Sequence, residues 1–283
     1  MKNQTKKSTL LLTIVAAIAI LFSACGNDYE NHELIGKELI INDAIKGIVI
    51  EGPWEVTVTQ NDENNSAFIQ YNVPDKKIKT ELRPNGYLHI KVYNLNNYRN
   101  VKLRATIKAA TLENIEGSGA AIIYTYGNFT SSADITLSGA SILDGYVCEG
   151  DKEVINLSGA SIMKKCSFKG KRIDATLSGS SKVTYSNIDV ERCTVKASGS
   201  SMFNGSGYAA ETDFNGSGSS TFLTFELESE NLDIDLSGAS NGEVTVNKKI
   251  KGSLSGGSIL KYKRAEDISG VSTTGGSKII KVN

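Results

Sequence analysis

Leu137-Ser138-Gly139-Ala140-Ser141-Ile142-Leu143 is answered twenty residues later by Leu157-Ser158-Gly159-Ala160-Ser161-Ile162-Met163, and again by Leu177-Ser178-Gly179-Ser180-Ser181-Lys182-Val183. The same corner recurs around Gly119, Gly199, Gly218, Gly238, Gly256 and Gly275, with glycine-to-glycine steps of 20, 20, 20, 20, 19, 20, 18 and 19 residues. A fixed period of this size is the mark of a solenoid, in which each repeat is one structural unit stacked on the last. Apolar and polar residues alternate before each corner, as in Ile135-Thr136-Leu137, Ile155-Asn156-Leu157 and Ile234-Asp235-Leu236. Period two means strands with one buried face. The second residue past each corner is Leu143, Met163, Val183, Phe203, Phe222, Gly242, Leu260 or Ile279, a column that should face inward. A second inward column is expected nine residues past each central glycine, at Cys148, Phe168, Ile188, Tyr208 and Leu227. The expected fold is all-β: a parallel β-helix with coils of about 20 residues, turned at each corner by a glycine free to adopt positive φ.

Outward from the repeats, composition agrees. Of 283 residues 27 are glycine and 3 are proline, and the prolines, Pro53, Pro74 and Pro84, all precede the regular coils. Residues 39–115 carry longer strand patterns, such as Trp54–Thr59, Tyr87–Val92 and Lys102–Ile107, broken by turn clusters such as Asn61–Asn65 and Arg83–Gly86. They are read as an irregular β portion that starts and caps the solenoid. With residues 116–283 they form a single domain over 39–283.

The other end of the chain is an address. Lys2, Lys6 and Lys7 precede an apolar run from Leu10 to Phe22, long enough for a signal-peptide core and short for a membrane span. The run ends Leu21-Phe22-Ser23-Ala24-Cys25. Small residues before a cysteine resemble the bacterial lipobox, although Phe22 stands where that pattern has an aliphatic residue. Residues 1–24 are read as the signal peptide, Cys25 as the lipidated N-terminus and residues 25–38 as a polar tether to the membrane of the cell envelope. The expected location is the outer membrane, facing the periplasm or the cell surface. Loss of residues 1–24 takes three lysines from a net charge of zero, leaving −3 on the mature chain. That balance argues against nucleic acid as a partner, since such binding needs a basic domain or stripe.

Ile48-x-Ile50-x-Gly52, Val56-x-Val58-x-Gln60, Asn85-Gly86-Tyr87-Leu88-x-Ile90 and the repeated Leu-Ser-Gly-Ala-Ser, taken in this order, resemble the Bacteroidetes lipoprotein family known as the auto-transporter adhesin head GIN domain. The resemblance spans nearly all of the mature chain. It implies a right-handed β-helix and, by the family's name, adhesion.

The search for chemistry gives little. His32 lies in the tether and His89 in a strand, so neither a Ser–His–Asp arrangement nor a metal cluster is indicated. No catalytic residue, metal site or cofactor is expected. Cys148, Cys166 and Cys193 are an odd number for an exported chain. Cys193 shares an inward column with Ile173 and Leu232, and Cys148 with Phe168 and Ile188, so both read as small apolar core residues. Cys148 and Cys166 are out of phase on adjacent coils, an awkward offset for a bridge. One polar cluster stands out. Asp134, Asp174, Asp213 and Asp233 each lie five residues before a central glycine, and Asp235 projects to the same side as Asp233. Stacked carboxylates can hold calcium, but a solvated strand face explains them as well. Lys251 sits one coil beyond Asp233 and Lys196 two coils before Asp235. Two functions follow: a non-enzymatic, lipid-anchored adhesin-like protein that binds a glycan or an envelope or cell-surface protein, or a polysaccharide lyase or hydrolase on the same fold. Near-constant coils without inserted loops favour the first. Finally, the last coil, Thr274–Asn283, has no following segment to cover Ile279, so end-to-end homo-oligomerisation or fraying is expected there.

Overall fold

The structure, a computed structural model, describes residues 32–41 and 43–283. The segment read as a signal peptide and Cys25 lie outside the described residues. Among those described, the helical element is a 3₁₀ turn at Asp75–Lys77; the rest of the regular structure is strand. The strands stack coil on coil in parallel register as a β-solenoid, as the period requires.

The corners set the stack. All nine corner glycines have φ between +68° and +76°, a region where a side chain costs roughly 1–2 kcal/mol. A Cβ on Gly159 would also stand 2.6 Å from the carbonyl oxygen of Gly139. The residue after each glycine donates its N–H to the glycine carbonyl one coil earlier: Ala140 to Gly119, Ala160 to Gly139 and Ser180 to Gly159, each at 2.7 Å. The last serine of the corner is buried. Ser161 Oγ lies 2.9 Å from the Ser158 carbonyl and 3.3 Å from the Leu137 carbonyl, one coil away. Ser141, Ser201 and Ser258 repeat this forked bond. A hydroxyl is thus buried without an orphaned proton, and it ties its own corner to the strand end beneath.

Two columns run through the core beside the corners. One is Leu137, Leu157, Leu177, Ala197, Gly216, Leu236 and Leu254. The other is Leu143, Met163, Val183, Phe203, Phe222, Gly242, Leu260 and Ile279. Gly216 is small because its neighbour is large: a Cβ there would come within 2.8 Å of both Leu236 and Phe222. The freed space holds Phe222 against Phe214, their rings stacked 4.9 Å apart. Volume is conserved across columns rather than within one.

The second expected column fails at one residue. Cys148, Phe168 and Ile188 are in register, but Ile188 is followed by Gly207 and then Leu227; Tyr208 pairs with Asp189 and Glu228 and is 39% exposed. The Gly199–Gly218 coil is one residue short. The register shift that absorbs the deficit falls between Val183/Phe203 and Ser186/Gly205, ahead of this column, so Tyr208 is displaced to the outer face.

At the N-terminal end, spatial order departs from chain order. Gly47–Glu51 lies between Tyr87–Val92 and Asn114–Ser118, in parallel with both. Glu55–Gln60 lies likewise between Leu103–Ala109 and Ile122–Tyr126. The first coil is therefore the second layer. Ser66–Tyr71 runs antiparallel to Leu103–Ala109, Ile78–Leu82 antiparallel to Tyr87–Val92, and Ile35–Leu39 completes the edge against Ser66–Tyr71. This edge strand begins inside the stretch read as tether. At the other end, Asp267–Thr273 and Lys278–Lys281 form the last coil, with Ile268, Val271 and Ile279 partly buried. Among the described residues no strand pairs over it.

One inward position is acidic. The column Glu153, Ile173, Cys193, Thr212, Leu232, Ile250 is in register, and Glu153 is 2% exposed. Its Oε2 accepts the Ala133 N–H at 2.9 Å, and its Oε1 lies 3.0 Å from Cys148 Sγ, which is 3.1 Å from the Ser131 carbonyl. The thiol is the donor toward both oxygens, a forked bond like that of Ser161, and together with the Ala133 amide it supplies the buried carboxyl with donors. Burial, with Asp134 adding to it, pushes this carboxyl up to about 7. Burial also pushes the Cys166 and Cys193 thiols up to about 12. All three described cysteines are free and buried, Cys148 and Cys193 in the inward columns expected for them.

Two outcomes follow. Leu177, fully buried in its column, should lose about 2–5 kcal/mol on Leu177→Ala, and Gly179→Ala about 2 kcal/mol or more, from its φ of +71° and the Gly159 carbonyl 2.7 Å from the new Cβ; urea denaturation measures both. Because Glu153 binds its proton more tightly folded than unfolded, its contribution is full below the ordinary carboxylate range and lost as pH rises to about 7. Stability should fall by on the order of 3 kcal/mol across that window. Comparing wild type with Glu153→Gln over pH 4–8 should show this component of the slope absent in the variant.

Candidate functional site

Each regular coil bends on the side away from the Ser-Gly corner. Gly170, Val190, Ala209 and Ser229 precede the bend and Arg172, Arg192, Glu211 and Asn231 follow it, in register from coil to coil. At this break in the ladder successive residues, such as Lys171-Arg172 and Glu191-Arg192, are exposed, and they form a polar strip along the solenoid. Two hollows lie on it. The larger, about 520 Å³, is an open depression lined by Thr130, Ser132, Glu149, Gly150, Asp151, Lys169 and Gly170. The second, about 340 Å³, is more enclosed and is walled mainly by charged side chains: Arg192, Glu211, Asp213, Asp233, Lys249 and Lys251. We take the second as the candidate site, because its floor, Thr212 and Leu232, belongs to the rigid core column and its walls converge.

Asp213 and Asp233 are direct partners on neighbouring coils, and both line this cavity. Lys251 continues the column and its Nζ lies 3.0 Å from Asp233 Oδ2. Hydrogen bonding to Asp233 raises the lysine above its ordinary value, so it stays protonated. Asp235, two residues on, lies outside the lining; it accepts from the Ser253 hydroxyl. Lys196 is in register with Asn215 and, through it, with Asp235, also beyond the cavity. Asp174 is drawn to Arg172, at 2.7 Å, and to Lys152, and Asp134 stands three coils from Thr194 along the same column. The five aspartates thus do not converge. Among the described residues no group of three His, Cys, Asp or Glu side chains is disposed to hold a metal. His89 is half-buried opposite Val49, its pKa lowered by burial and then by Arg83, remote in sequence and layer from this cavity.

Four wall or rim residues escaped the sequence reading: Arg192, Glu211, Asn231 and Lys249. Each stands seven residues before its central glycine, so the repeat itself held the signal. Glu211 Oε1 accepts from Asn231 Nδ2 at 2.8 Å, and Lys249 reaches Asp267 at 3.4 Å.

The fold places the chain among solved structures. It superposes with a TM-score of 0.64 and 13% identity on a structure described as a putative adhesin from Parabacteroides merdae, covering 89% of this chain and 97% of that one. A putative adhesin from Parabacteroides distasonis gives 0.62 and 17%, covering 89% and 95%. A structure from the same species described as a putative lipid binding protein gives 0.65 and 16%, covering 89% and 97%. At such identities the likeness speaks to fold alone. No relative was found among curated proteins. The sequence profile described as "putative auto-transporter adhesin, head GIN domain" matches residues 45–265, and the chain belongs to that family.

Proposed function

We propose that this protein is a lipid-anchored, non-enzymatic, adhesin-like component of the cell envelope, which uses the strip along its bend to bind a glycan or a cell-surface protein. The observation that carries the reading is the cavity of about 340 Å³ walled by both signs of charge, set on a core column of a solenoid whose regular coils carry no inserted loop. Rigid, periodic scaffolds of this kind serve as extended binding surfaces. Family membership supports the adhesin-like role. Anchoring rests on Cys25 and the segment before it. No helix among the described residues is long and apolar enough to cross a membrane. The proposed hold on the bilayer is the acyl chains, about 0.8 kcal/mol per buried methylene.

The alternative, a polysaccharide-cleaving enzyme, would need an uncharged base beside the carboxylates. Lys251 is the nearest amine, and its bond to Asp233 holds it in the charged form, which argues against that role.

Cys25→Ser should move the protein from the membrane to the soluble fraction or leave it unprocessed; a variant that matures and sediments with membranes as wild type does would remove the anchor from the reading. Beads coated with the intact protein should adhere to cells or to immobilised glycans, and incubation with the same polysaccharides should release no new reducing or unsaturated ends. Turnover without adhesion would reverse the assignment.

A further inference from the structure

We propose that the cavity at the bend binds a carboxylated sugar, with Arg192 holding the carboxylate. The inference rests on the binding role proposed above and names the chemistry of its ligand.

The charges around the cavity are unequally satisfied. Asp233 has Lys251, Glu211 has the Asn231 amide, and Lys249 is turned toward Asp267, which is not part of the lining. Among the described residues the Arg192 guanidinium and the Asp213 carboxylate make no ion pair or hydrogen bond. They stand on adjacent coils, Arg192 opposite Glu211 and Asp213 two residues further along, and still do not engage each other. A ligand entering here therefore meets one free planar fork of donors and one free acceptor, with Glu211, Asn231 and Asp233 between them and Lys251.

Ligand classes can be sorted by that pattern. A guanidinium pairs with a carboxylate through two parallel N–H bonds. A phosphate would fit the same fork, but Glu211, Asp213 and Asp233 line the same cavity, and carboxylates oppose a doubly charged anion more than a single one. A neutral sugar would satisfy Asp213 through its hydroxyls but would leave the Arg192 fork without the anion it pairs with best. A peptide could supply a carboxylate, but it offers few closely spaced hydroxyl donors for Asp213, Glu211 and Asp233 together. A uronate-type sugar supplies both: one carboxylate, and hydroxyls beside it that donate to carboxylates. The cavity spans the coils of Arg192, Asp213, Asp233 and Lys251, three coil steps or roughly 14 Å at strand spacing, so it has length for more than one ring of a chain.

The test is calorimetric titration of the intact protein in detergent with a trigalacturonate probe, its carboxyl-reduced galactose counterpart and a hyaluronate fragment, at two salt concentrations. The acidic probes should bind, the neutral one at least tenfold more weakly, and added salt should weaken only the acidic ones. Arg192→Gln should remove the difference between acidic and neutral probes. Arg192 is exposed, so an unchanged urea midpoint will show that the variant folds. Asp213→Asn should weaken binding while keeping the acidic preference. Equal binding of acidic and neutral probes, or an acidic preference that survives Arg192→Gln, would overturn the inference while leaving a glycan-binding role in place. Binding to none of the sugars, with adhesion to cells retained, would overturn it and shift the partner to protein. A probe that binds but is cleaved would strike at the non-enzymatic reading instead.

Discussion

Everything in this molecule depends on one repeated contact: the backbone N–H after each corner glycine reaching the glycine carbonyl of the coil before it, at 2.7–2.8 Å. That approach requires a residue without a Cβ and with positive φ, and it is closed by a buried serine whose hydroxyl spans two coils. The rest follows geometrically. Once corners are superposed, residues at equal distance from them are superposed too. Apolar positions become continuous core columns, and polar positions become continuous outer stripes. A substitution at a corner therefore acts on two interfaces at once through the backbone, whereas a substitution on a stripe acts through side-chain pairs such as Lys251–Asp233.

This explains what the sequence discloses. The corner is legible because its requirement is steric and local: glycine at 119, 139, 159 and onward is obligatory, and the spacing can be counted. Leu157, Leu177 and the column from Leu143 to Leu260 follow from the same count. Tyr208 is misplaced because a missing residue shows only that a coil is shorter, not where the ladder absorbs the deficit. Glu153 is hidden for another reason. An acidic residue in an inward column looks like an error of phase, and only the Cys148 thiol and the Ala133 amide reveal it as accommodated. The N-terminal layering is illegible because it depends on pairings such as Gly47 with Asn114, which leave no periodic trace.

The candidate site was half visible for similar reasons. Asp213 and Asp233 share an offset with other aspartates, so a column of one residue type drew notice. Arg192, Glu211, Asn231 and Lys249 share an offset as well, but they differ in charge, and a mixed column reads as ordinary surface. What makes the mixed column a site is the bend, a backbone property with no residue signature. Function in this fold lies where two stripes meet across a change of strand direction, and carboxylates alone do not mark that place.

The displaced first coil also bears on how such a chain can assemble as it is delivered. Residues 47–60 acquire neighbours on both sides only after residues 87–126 have arrived. Regular coils need only the preceding twenty residues or so. Closure over long separations is slow and closure over short ones is quick. The segment that emerges first is thus enclosed only by chain that follows it at a distance, whereas each later coil is laid directly on the one before.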